Sequence, residues 1–461
     1  MIGAMVSREA PRLALGLLAG LAAMALARVL RRAPPDRYCR GARIERAPRR
    51  RRSRTGITLA NVPLAPLEET KHFKLIGTTG TGKSTAIAEL LTALLARGDR
   101  AVIADPDGGY LTGFHSTGRG DVILNPFEPR ALKWNPFAEL AAPEDADQLA
   151  ASLIAAGEDA AAREWRGYAR TFLASLLRRI DARNADLGHF WYLIAIAPSA
   201  QLRGLLCGTP AQPFLEPENA RMFGSIRSVA AACTAALEHV CHQVAPPCSV
   251  RQWVRAGRGV LFLPYRAGQI ASLRTLIASW MRLAIFEAMN GPPGDQRLWF
   301  IVDELDALGA IDGLRDALAR LRKFGGRCVL GFQSIAQVAA LYGPGDAQTI
   351  IENCGNSLIL RCSASERGGT AQFCSRLIGE REVIRRSVSR GRDGAGGFGG
   401  GARGVRRSLH ISEQHVTETA VLAAQIEQLA DLEGFLKTAA SASWLSVRLR
   451  RPGVRRGAWC R

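Results

Sequence analysis

The sequence predicts an α/β protein with a parallel sheet, an inserted all-α domain and an N-terminal transmembrane segment. Three observations support this prediction. Two short apolar runs, Phe73–Ile76 and Leu298–Val302, each end in a group of polar or glycine-rich residues, as buried parallel strands commonly do. Between them, residues 140–245 are rich in Ala, Leu and Arg, with apolar positions at helical spacing. Near the start of the chain, Leu13–Ala27 is an uninterrupted apolar run.

The N-terminal segment, residues 1–30, is predicted to anchor the chain in a membrane. A helix from Leu13 to Leu30 would have about 18 residues, which roughly matches the hydrocarbon thickness of a bilayer. Arginines are concentrated between Arg28 and Arg54, so the positive-inside rule places the long C-terminal body in the cytoplasm. A signal peptide cleaved near Ala25–Ala27 is the alternative interpretation. Residues 31–56 are interpreted as a basic juxtamembrane linker.

The net charge of +20 is concentrated at the two ends of the chain. Residues 1–56 contain 14 arginines and three acidic residues, and residues 448–461 contain six arginines and no acidic residue. The body between them is close to neutral. Basic ends, including the tail at 451–461, favour phosphate-rich partners such as nucleic acid or anionic lipid, although solvated tails without a fixed partner have the same composition. The ten cysteines lack the spacing of a disulfide framework, which indicates a reducing compartment.

A complete phosphate-binding loop follows the first apolar strand. Residues Gly77–Ser84 fit the pattern GxxxxGK[ST], and the predicted helix Thr85–Ala96 supplies the strand–loop–helix context that this motif requires. Lys83 is expected to contact the β- and γ-phosphates of ATP, and the Ser84 hydroxyl is expected to bind Mg²⁺. The remaining contacts are expected from backbone N–H groups and the helix N-terminus. The predicted nucleotide-binding residues are Gly77, Thr78, Thr79, Gly80, Thr81, Gly82, Lys83, Ser84 and Thr85.

Two acidic residues follow the second apolar strand and predict the chemistry of hydrolysis. Asp303 is expected to hold Mg²⁺, directly or through water, and Glu304 is expected to activate the attacking water as a general base. A water-activating acid beside a metal ligand favours ATP hydrolysis over phosphoryl transfer to a small molecule. An Asp-Glu helix cap is the alternative, and it is weak downstream of a complete phosphate-binding loop.

Polar residues also follow two other predicted strands. The strand Cys328–Phe332 ends at Gln333, which in a RecA-type sheet lies next to the γ-phosphate and can report hydrolysis to the rest of the domain. A helix-capping Gln/Ser pair is the alternative interpretation of Gln333-Ser334. Asp105 also ends a predicted strand, but its Asp-Pro-Asp-Gly-Gly context fits a simple turn equally well.

Further apolar strands define the predicted domain boundaries. Gly259–Leu263 and Ser357–Arg361 extend the sheet on the far side of the helical stretch. Residues 57–139 and 246–450 are therefore predicted to form one RecA-like nucleotide-binding domain, and residues 140–245 are predicted to form the all-α insertion.

The last part of this domain contains an unusual glycine- and arginine-rich segment. Residues 387–407 cannot bury enough apolar surface to fold on their own, which predicts a flexible loop able to touch DNA phosphates. After it, Ala423–Leu436 is predicted to form a helix and Ser443–Leu449 a strand.

Together these motifs resemble the type IV secretion coupling proteins of the TraD/TrwB kind. The resemblance extends from about residue 60 to residue 450 and is densest from 296 to 380. The phosphate-binding loop Gly77–Ser84 and the strand ending in Asp303-Glu304 are the Walker A and Walker B motifs, which many motor proteins share. Their combination with Arg322-Lys-Phe-Gly-Gly326, Gly331-Phe-Gln-Ser334 and a helical insertion is far more specific. The segments that carry the resemblance are Phe73–Thr85, Asp105–Gly109, Lys133–Phe137, Trp299–Leu305, Leu321–Gly326, Gly331–Ser334 and Gln425–Phe435.

The resemblance implies a hexameric, DNA-dependent ATPase beneath a bacterial inner membrane, with ATP and Mg²⁺ as cofactors. Such proteins bind DNA, mainly single-stranded and with little sequence preference. They recruit the relaxosome through its relaxase and pass the DNA to the type IV secretion channel proteins. In the family an arginine shortly before the glutamine motif reaches a neighbour's nucleotide. Arg322 matches it by position, and Arg320 and Arg361 are alternatives.

Two other functions fit parts of the sequence. A chromosomal double-strand DNA translocase like FtsK or HerA would share the ATPase chemistry, but the C-terminal sequence shows no winged-helix reader. A membrane receptor that docks cargo and uses nucleotide only as a switch could dispense with Glu304. The family's usual pair of membrane helices is reduced here to one predicted span. The sequence favours a membrane-anchored, ATP-hydrolysing DNA motor of conjugation.

Overall fold

The computed structural model describes most of the chain between residues 36 and 450. The predicted membrane segment, residues 1–30, lies outside the described residues, and so does the basic tail at 451–461. No helix within the described part combines the length and the apolar character needed to cross a bilayer. The described residues are 36–47, 56–157, 159–180, 185–294, 296–365, 368–393 and 406–450.

Strands and helices alternate along most of the described chain, as expected for an α/β protein. The strands are β1 Arg37–Gly41, β2 Ile44–Arg46, β3 Thr58–Leu59, β4 Val62–Pro63, β5 Phe73–Ile76, β6 Arg100–Pro106, β7 Val122–Ile123, β8 Lys133–Trp134, β9 Pro247–Cys248, β10 Val260–Tyr265, β11 Leu298–Val302, β12 Gly326–Phe332, β13 Asn356–Ile359, β14 Glu380–Asp393, β15 Arg406–Thr419, β16 Glu433–Lys437 and β17 Trp444–Arg448. The helices are Pro66–Glu69, Lys83–Arg97, Gly109–Phe114, Asp145–Leu153, Ala160–Arg179, Leu187–Ala195, Ser199–Leu205, Ala220–Thr234, Leu237–His242, Val250–Ala256, Ile270–Ala288, Leu314–Leu321, Ile335–Tyr342, Pro344–Asn353, Gly369–Ile378 and Ala423–Glu427.

A ten-stranded mixed sheet forms the centre of the larger unit and confirms the predicted α/β class. Its strand order is β2-β17-β16-β13-β5-β12-β11-β6-β10-β7. The strands from β13 to β7 are parallel, whereas β16 and β17 are added antiparallel to their neighbours β13 and β16. Every residue of β5, β11 and β12 is buried, because helices cover both faces of the parallel part. Since β12 lies between β5 and β11, the residues that follow these three strands meet at one edge of the sheet.

The helical stretch between β8 and β9 has its own apolar core. The described residues between 145 and 242 form helices and short 3₁₀ turns and contain no strand. Phe172 and Phe223, from two of these helices, are fully or almost fully buried and pack edge to face with ring centroids 5.3 Å apart. Strands β8 and β9 pair in parallel, which brings the beginning and the end of the stretch together. This is the geometry that an insertion into a sheet domain requires.

Chain contacts separate a second, smaller compact unit, whose described residues are 36–43, 378–393 and 406–421. Its described residues form a three-stranded antiparallel sheet in the order β1-β14-β15. We expected 246–450 to belong wholly to the nucleotide-binding domain, and this assignment is wrong for 378–421. The long-range pairing of β1 with β14, which no local pattern reveals, creates the separate sheet.

The prediction of a flexible loop over 387–407 is wrong at both ends of that segment. Strands β14 and β15, each of 14 residues, pair without a break from Glu380↔Thr419 to Asp393↔Arg406. Composition alone misleads here because ladder hydrogen bonds satisfy the backbone of a polar hairpin that buries little apolar surface. Residues 394–405 lie outside the described part of the chain.

Two further expectations are corrected by long-range strand pairing. The interpretation of 31–56 as a linker overlooks β1 and β2, whose partners β14 and β17 lie near the other end of the chain. The predicted helix Ala423–Leu436 ends at Glu427, and β16 then joins the sheet beside β13. Leu432, with φ 68°, lies in the left-handed region between the two elements.

Candidate functional site

The phosphate-binding loop leaves the carboxyl end of β5 and enters the helix Lys83–Arg97. Lys83 is buried, and its ammonium group donates to the carbonyl oxygens of Gly77 at 2.6 Å and Thr78 at 3.2 Å. Gly82 has φ 123°, a backbone conformation that residues with a Cβ rarely adopt. The loop is therefore curled around the lysine, with the N-terminus of a 15-residue helix directed at the same space.

The predicted nucleotide-binding residues divide into two groups in the structure. Three of them hold the loop in place: Gly77 N–H donates to the Phe332 carbonyl, Thr78 N–H donates to the Arg361 carbonyl, and Thr81 Oγ1 donates to the Thr78 carbonyl. The others line one cavity together with the acids of β11. The lining residues are Thr79, Gly80, Gly82, Lys83, Ser84, Thr85, Asp303 and Glu304.

Asp303 follows β11 and faces the phosphate-binding loop. Its Oδ2 atom accepts hydrogen bonds from the Ser84 hydroxyl at 2.7 Å and from the Tyr110 hydroxyl at 2.7 Å. Its Oδ1 atom is buried and has no hydrogen-bond partner among the described residues. A carboxylate oxygen without a hydrogen-bond donor, next to a serine hydroxyl, suits a hard divalent cation such as Mg²⁺. The residues present therefore fit the metal site predicted from the sequence.

Glu304 and Gln333 connect the two sides of the cavity. The Gln333 amide donates from Nε2 to Glu304 Oε1 at 3.1 Å, and its Oε1 accepts from the Thr79 hydroxyl at 2.9 Å. Burial raises the pKa of the Glu304 carboxyl, and the neighbouring charges of Asp303 and Asp306 raise it further. A carboxylate with a raised pKa is a stronger base than an exposed glutamate, which suits activation of water.

The electrostatics of the cavity combine one buried cation with several acids. Burial lowers the pKa of Lys83, and the charges of Asp303 and Glu304 oppose that shift. Burial also raises the pKa of Asp105 to about 6, although hydrogen bonds from backbone N–H groups of Leu111 and Tyr110 favour its charged form. Low exposure of these groups strengthens each of these interactions relative to bulk water.

Tyr110 is a site residue that the sequence analysis missed. Asp105 is the last residue but one of β6, and its carboxylate accepts hydrogen bonds from the backbone N–H groups of Tyr110 at 3.1 Å and Leu111 at 2.6 Å. The turn interpretation of the Asp-Pro-Asp-Gly-Gly segment is therefore right for Asp105, which caps the helix Gly109–Phe114. The only local signal for Tyr110 was its place directly after this turn at a strand's carboxyl end.

The three candidate arginines lie at two opposite edges of the sheet. Arg320 and Arg322 are exposed and precede β12, whereas the phosphate-binding loop follows β5. Because β5 and β12 are parallel neighbours, both arginines lie at the opposite edge of the sheet from their own chain's loop. Arg361 instead lies beside that loop, with its side chain paired to Asp431 at 2.7 Å. Within one chain, the structure thus brings together Lys83, Ser84, Asp303, Glu304 and Gln333, but not Arg322.

Comparison with known proteins identifies the family. The model of the type IV secretion-system coupling protein DNA-binding domain matches residues 56–450. The chain belongs to this family. The coupling protein TraD of Escherichia coli (strain K12) is 30% identical to it over 388 residues, which are 82% of this chain and 52% of TraD. The chain thus spans about half the length of that curated relative.

Solved structures of the coupling protein TrwB have the same fold. The unbound monoclinic form of TrwBΔN70 matches with a TM-score of 0.78 and 30% identity over 92% of this chain and 96% of that chain. TrwB in complex with the non-hydrolysable ATP analogue ADPNP gives the same values. TrwB in complex with ADP and Mg²⁺ matches with a TM-score of 0.78 and 30% identity over 91% and 96% of the two chains. The predicted resemblance of the chain to coupling proteins of the TraD/TrwB kind is confirmed.

Proposed function

We propose that this coupling protein is a Mg²⁺-dependent ATPase that drives DNA toward a type IV secretion channel during conjugation. The observation that carries the proposal is the convergence of Lys83, the Ser84–Asp303 pair and the Glu304–Gln333 pair on one cavity. A protein that only bound nucleotide would need the first two features. The third feature, a base with a raised pKa held by an amide, is needed for turnover.

Each of these side chains has a distinct task in hydrolysis. Lys83 and the loop N–H groups bind and orient the β- and γ-phosphates. Ser84 and Asp303 would hold Mg²⁺, which would supply positive charge beside the phosphates. Glu304 accepts a proton from the attacking water, and the Gln333 amide holds the Glu304 carboxylate in position. The proposal that ATP and Mg²⁺ are the ligands is supported by the TrwB complexes with ADPNP and with ADP and Mg²⁺.

We further propose that the active form is a homo-oligomer, a hexamer, in which Arg322 contacts the nucleotide of a neighbouring subunit. Arg322 is exposed and lies across the sheet from its own phosphate-binding loop, which supports a role at another subunit's site rather than at its own. A cation that stabilises charge on the transferring phosphoryl group accelerates such reactions strongly. Hydrolysis would then depend on ring assembly.

The proposed cargo is DNA, mainly single-stranded and bound without sequence preference, delivered by a relaxase-containing relaxosome. The family is defined by a coupling protein DNA-binding domain, which supports DNA as the partner. Residues 1–30 are proposed to anchor the chain in the bacterial inner membrane, with the body in the cytoplasm. There it would pass DNA to the type IV secretion channel proteins.

The proposed function is tested by measuring ATP hydrolysis of the detergent-solubilised full chain with and without single-stranded DNA. Lys83→Ala and Glu304→Gln are the test variants, and Glu352→Gln is the matched control, because Glu352 is exposed and its carboxylate accepts from Gln348 on the same helix. We expect DNA to stimulate turnover in the wild type and in the control, and both test variants to be inactive.

Two outcomes would replace the proposal. Nucleotide binding without turnover in the wild type would indicate a receptor that uses nucleotide only as a switch. Stimulation by double-stranded DNA alone would indicate a double-strand translocase.

A further inference from the structure

We propose that Tyr110 is a positioning residue for the metal site: its hydroxyl holds one oxygen of Asp303 so that the other oxygen faces Mg²⁺. This inference rests on the proposed function, because it assigns a role toward the cation that Ser84 and Asp303 would hold. It concerns how the metal ligand is oriented, which the Walker motifs alone do not specify.

The hydrogen bonds of Asp303 are distributed unequally between its two oxygens. Oδ2 accepts from two hydroxyl groups, those of Ser84 and Tyr110, each at 2.7 Å. Oδ1 is buried and has no partner among the residues that the structure describes. Since a carboxylate side chain rotates readily about its terminal bond, two donors on one oxygen select a single orientation. Oδ1 is then the oxygen left available to the cation.

Tyr110 is itself held rigidly in the orientation that this contact needs. Its backbone N–H and that of Leu111 donate to the two oxygens of Asp105, which is fully buried. Just before it, Asp107 and Gly108 adopt φ angles of 58° and 66°. Glycine adopts this left-handed conformation freely, but a non-glycine residue such as Asp107 persists there only where surrounding contacts hold it. The Asp105 turn thus places the first turn of a helix, and the Tyr110 ring with it, against the end of β11.

The two donors to Asp303 differ in what else they are proposed to do. The Ser84 oxygen is also a proposed Mg²⁺ ligand, so its geometry must satisfy the cation and Asp303 together. Tyr110 is not among the residues that line the cavity, so the only role proposed for its hydroxyl is the contact with Asp303. Removing a group that hydrogen-bonds to a metal ligand commonly lowers metal affinity by about 10- to 100-fold.

Tyr265 provides a matched control for Tyr110. It is equally buried, at 4% exposure against 5% for Tyr110, and it ends the neighbouring strand β10. Its hydroxyl, however, has no hydrogen-bond partner within the described chain. Tyr265→Phe therefore removes a buried hydroxyl near the same acids without removing a contact to Asp303, and such a change is expected to be nearly neutral.

The test is the affinity of the detergent-solubilised full chain for a fluorescent ADP analogue, measured with Mg²⁺ and with EDTA. We expect Tyr110→Phe to weaken binding about tenfold with Mg²⁺ and to leave binding in EDTA unchanged. Tyr265→Phe should match the wild type in both conditions. The Mg²⁺ concentration for half-maximal ATP hydrolysis should rise in Tyr110→Phe alone.

Binding in EDTA also shows whether each variant is folded, so every outcome is informative. If adding Mg²⁺ increases the affinity of Tyr110→Phe for the ADP analogue as much as that of the wild type, the positioning role is overturned while the proposed function stands. An equal loss of ADP-analogue affinity with Mg²⁺ and with EDTA would overturn the positioning role as well, since Tyr110 would then only pack against the loop. If the wild type binds no better with Mg²⁺ than with EDTA, the metal site of the proposed function fails and this inference fails with it.

Discussion

The bridge made by Gln333 allows the sharpest test of the proposed hydrolysis. Gln333 donates to Glu304 at 3.1 Å and accepts from Thr79 at 2.9 Å. Gln333→Met keeps the length of the side chain and removes both hydrogen bonds. A hydrogen bond to a charged group contributes about 1.5–3 kcal/mol. If Glu304 needs this contact to hold its reactive orientation, kcat should fall about 10- to 150-fold.

Gln348→Met is the matched control for this change. Gln348 donates to Glu352 at 2.8 Å, so it forms the same kind of amide–carboxylate bond, but on an exposed helix away from the cavity. The assay is steady-state ATP hydrolysis, combined with ADP binding to separate turnover from affinity. We expect the control to behave as wild type, and Gln333→Met to lose kcat while ADP binding is retained. An unchanged kcat in Gln333→Met would refute this reasoning. A loss of ADP affinity as large as the loss of kcat would also refute it.

The same variant has a defined effect on the pH dependence of turnover. The hydrogen bond from Gln333 favours the ionised form of Glu304 and so opposes the rise of its pKa caused by burial. Removing the donor should raise that pKa further. Because the base must be ionised to accept a proton, kcat should begin to fall at a higher pH in Gln333→Met than in wild type. A profile of kcat against pH for both proteins measures this shift.

Three further predictions concern the rest of the molecule. Burial lowers the pKa of His72 from 6.5 to about 4, so the folded state favours the neutral ring. The free energy of unfolding should therefore fall by about 3 kcal/mol as the pH falls from about 6.5 toward 4. His72→Gln should remove this part of the pH dependence, which is measured as the urea midpoint at each pH. For the arginine proposed to act in trans, Arg322→Ala and Lys83→Ala should each be inactive, and mixing the two proteins should restore part of the activity; absence of restoration would contradict the assignment. Deletion of residues 1–56 should lower the melting temperature more than deletion of residues 1–35, because only the longer deletion removes β1 and β2.

The nucleotide site was largely predictable because its parts are local. Lys83 and Ser84 are adjacent, and the loop before them is specified by glycine positions and by the helix that follows. Asp303 and Glu304 end an apolar run, which already places them at the edge of a parallel sheet. Gln333 ends another such run, and the order of β5, β12 and β11 places it between the loop and the acids.

The parts that sequence reasoning missed depend on contacts between distant segments. The Tyr110 hydroxyl meets Asp303 across 193 positions of sequence, and only the neighbouring places of β6 and β11 in the sheet bring them together. The 387–407 segment looked unable to fold because its composition buries little apolar surface, yet its ends complete a hairpin held by backbone hydrogen bonds.

The sequence by itself determined the proposed chemistry: which residues are expected to bind phosphate, to hold a cation and to activate water, because each expectation follows from residue type in a short, regular context. The tertiary structure decided how those groups are oriented and which strands complete the sheets. Strand pairing and carboxylate orientation depend on partners hundreds of residues away, and the free energy of such contacts belongs to no single segment.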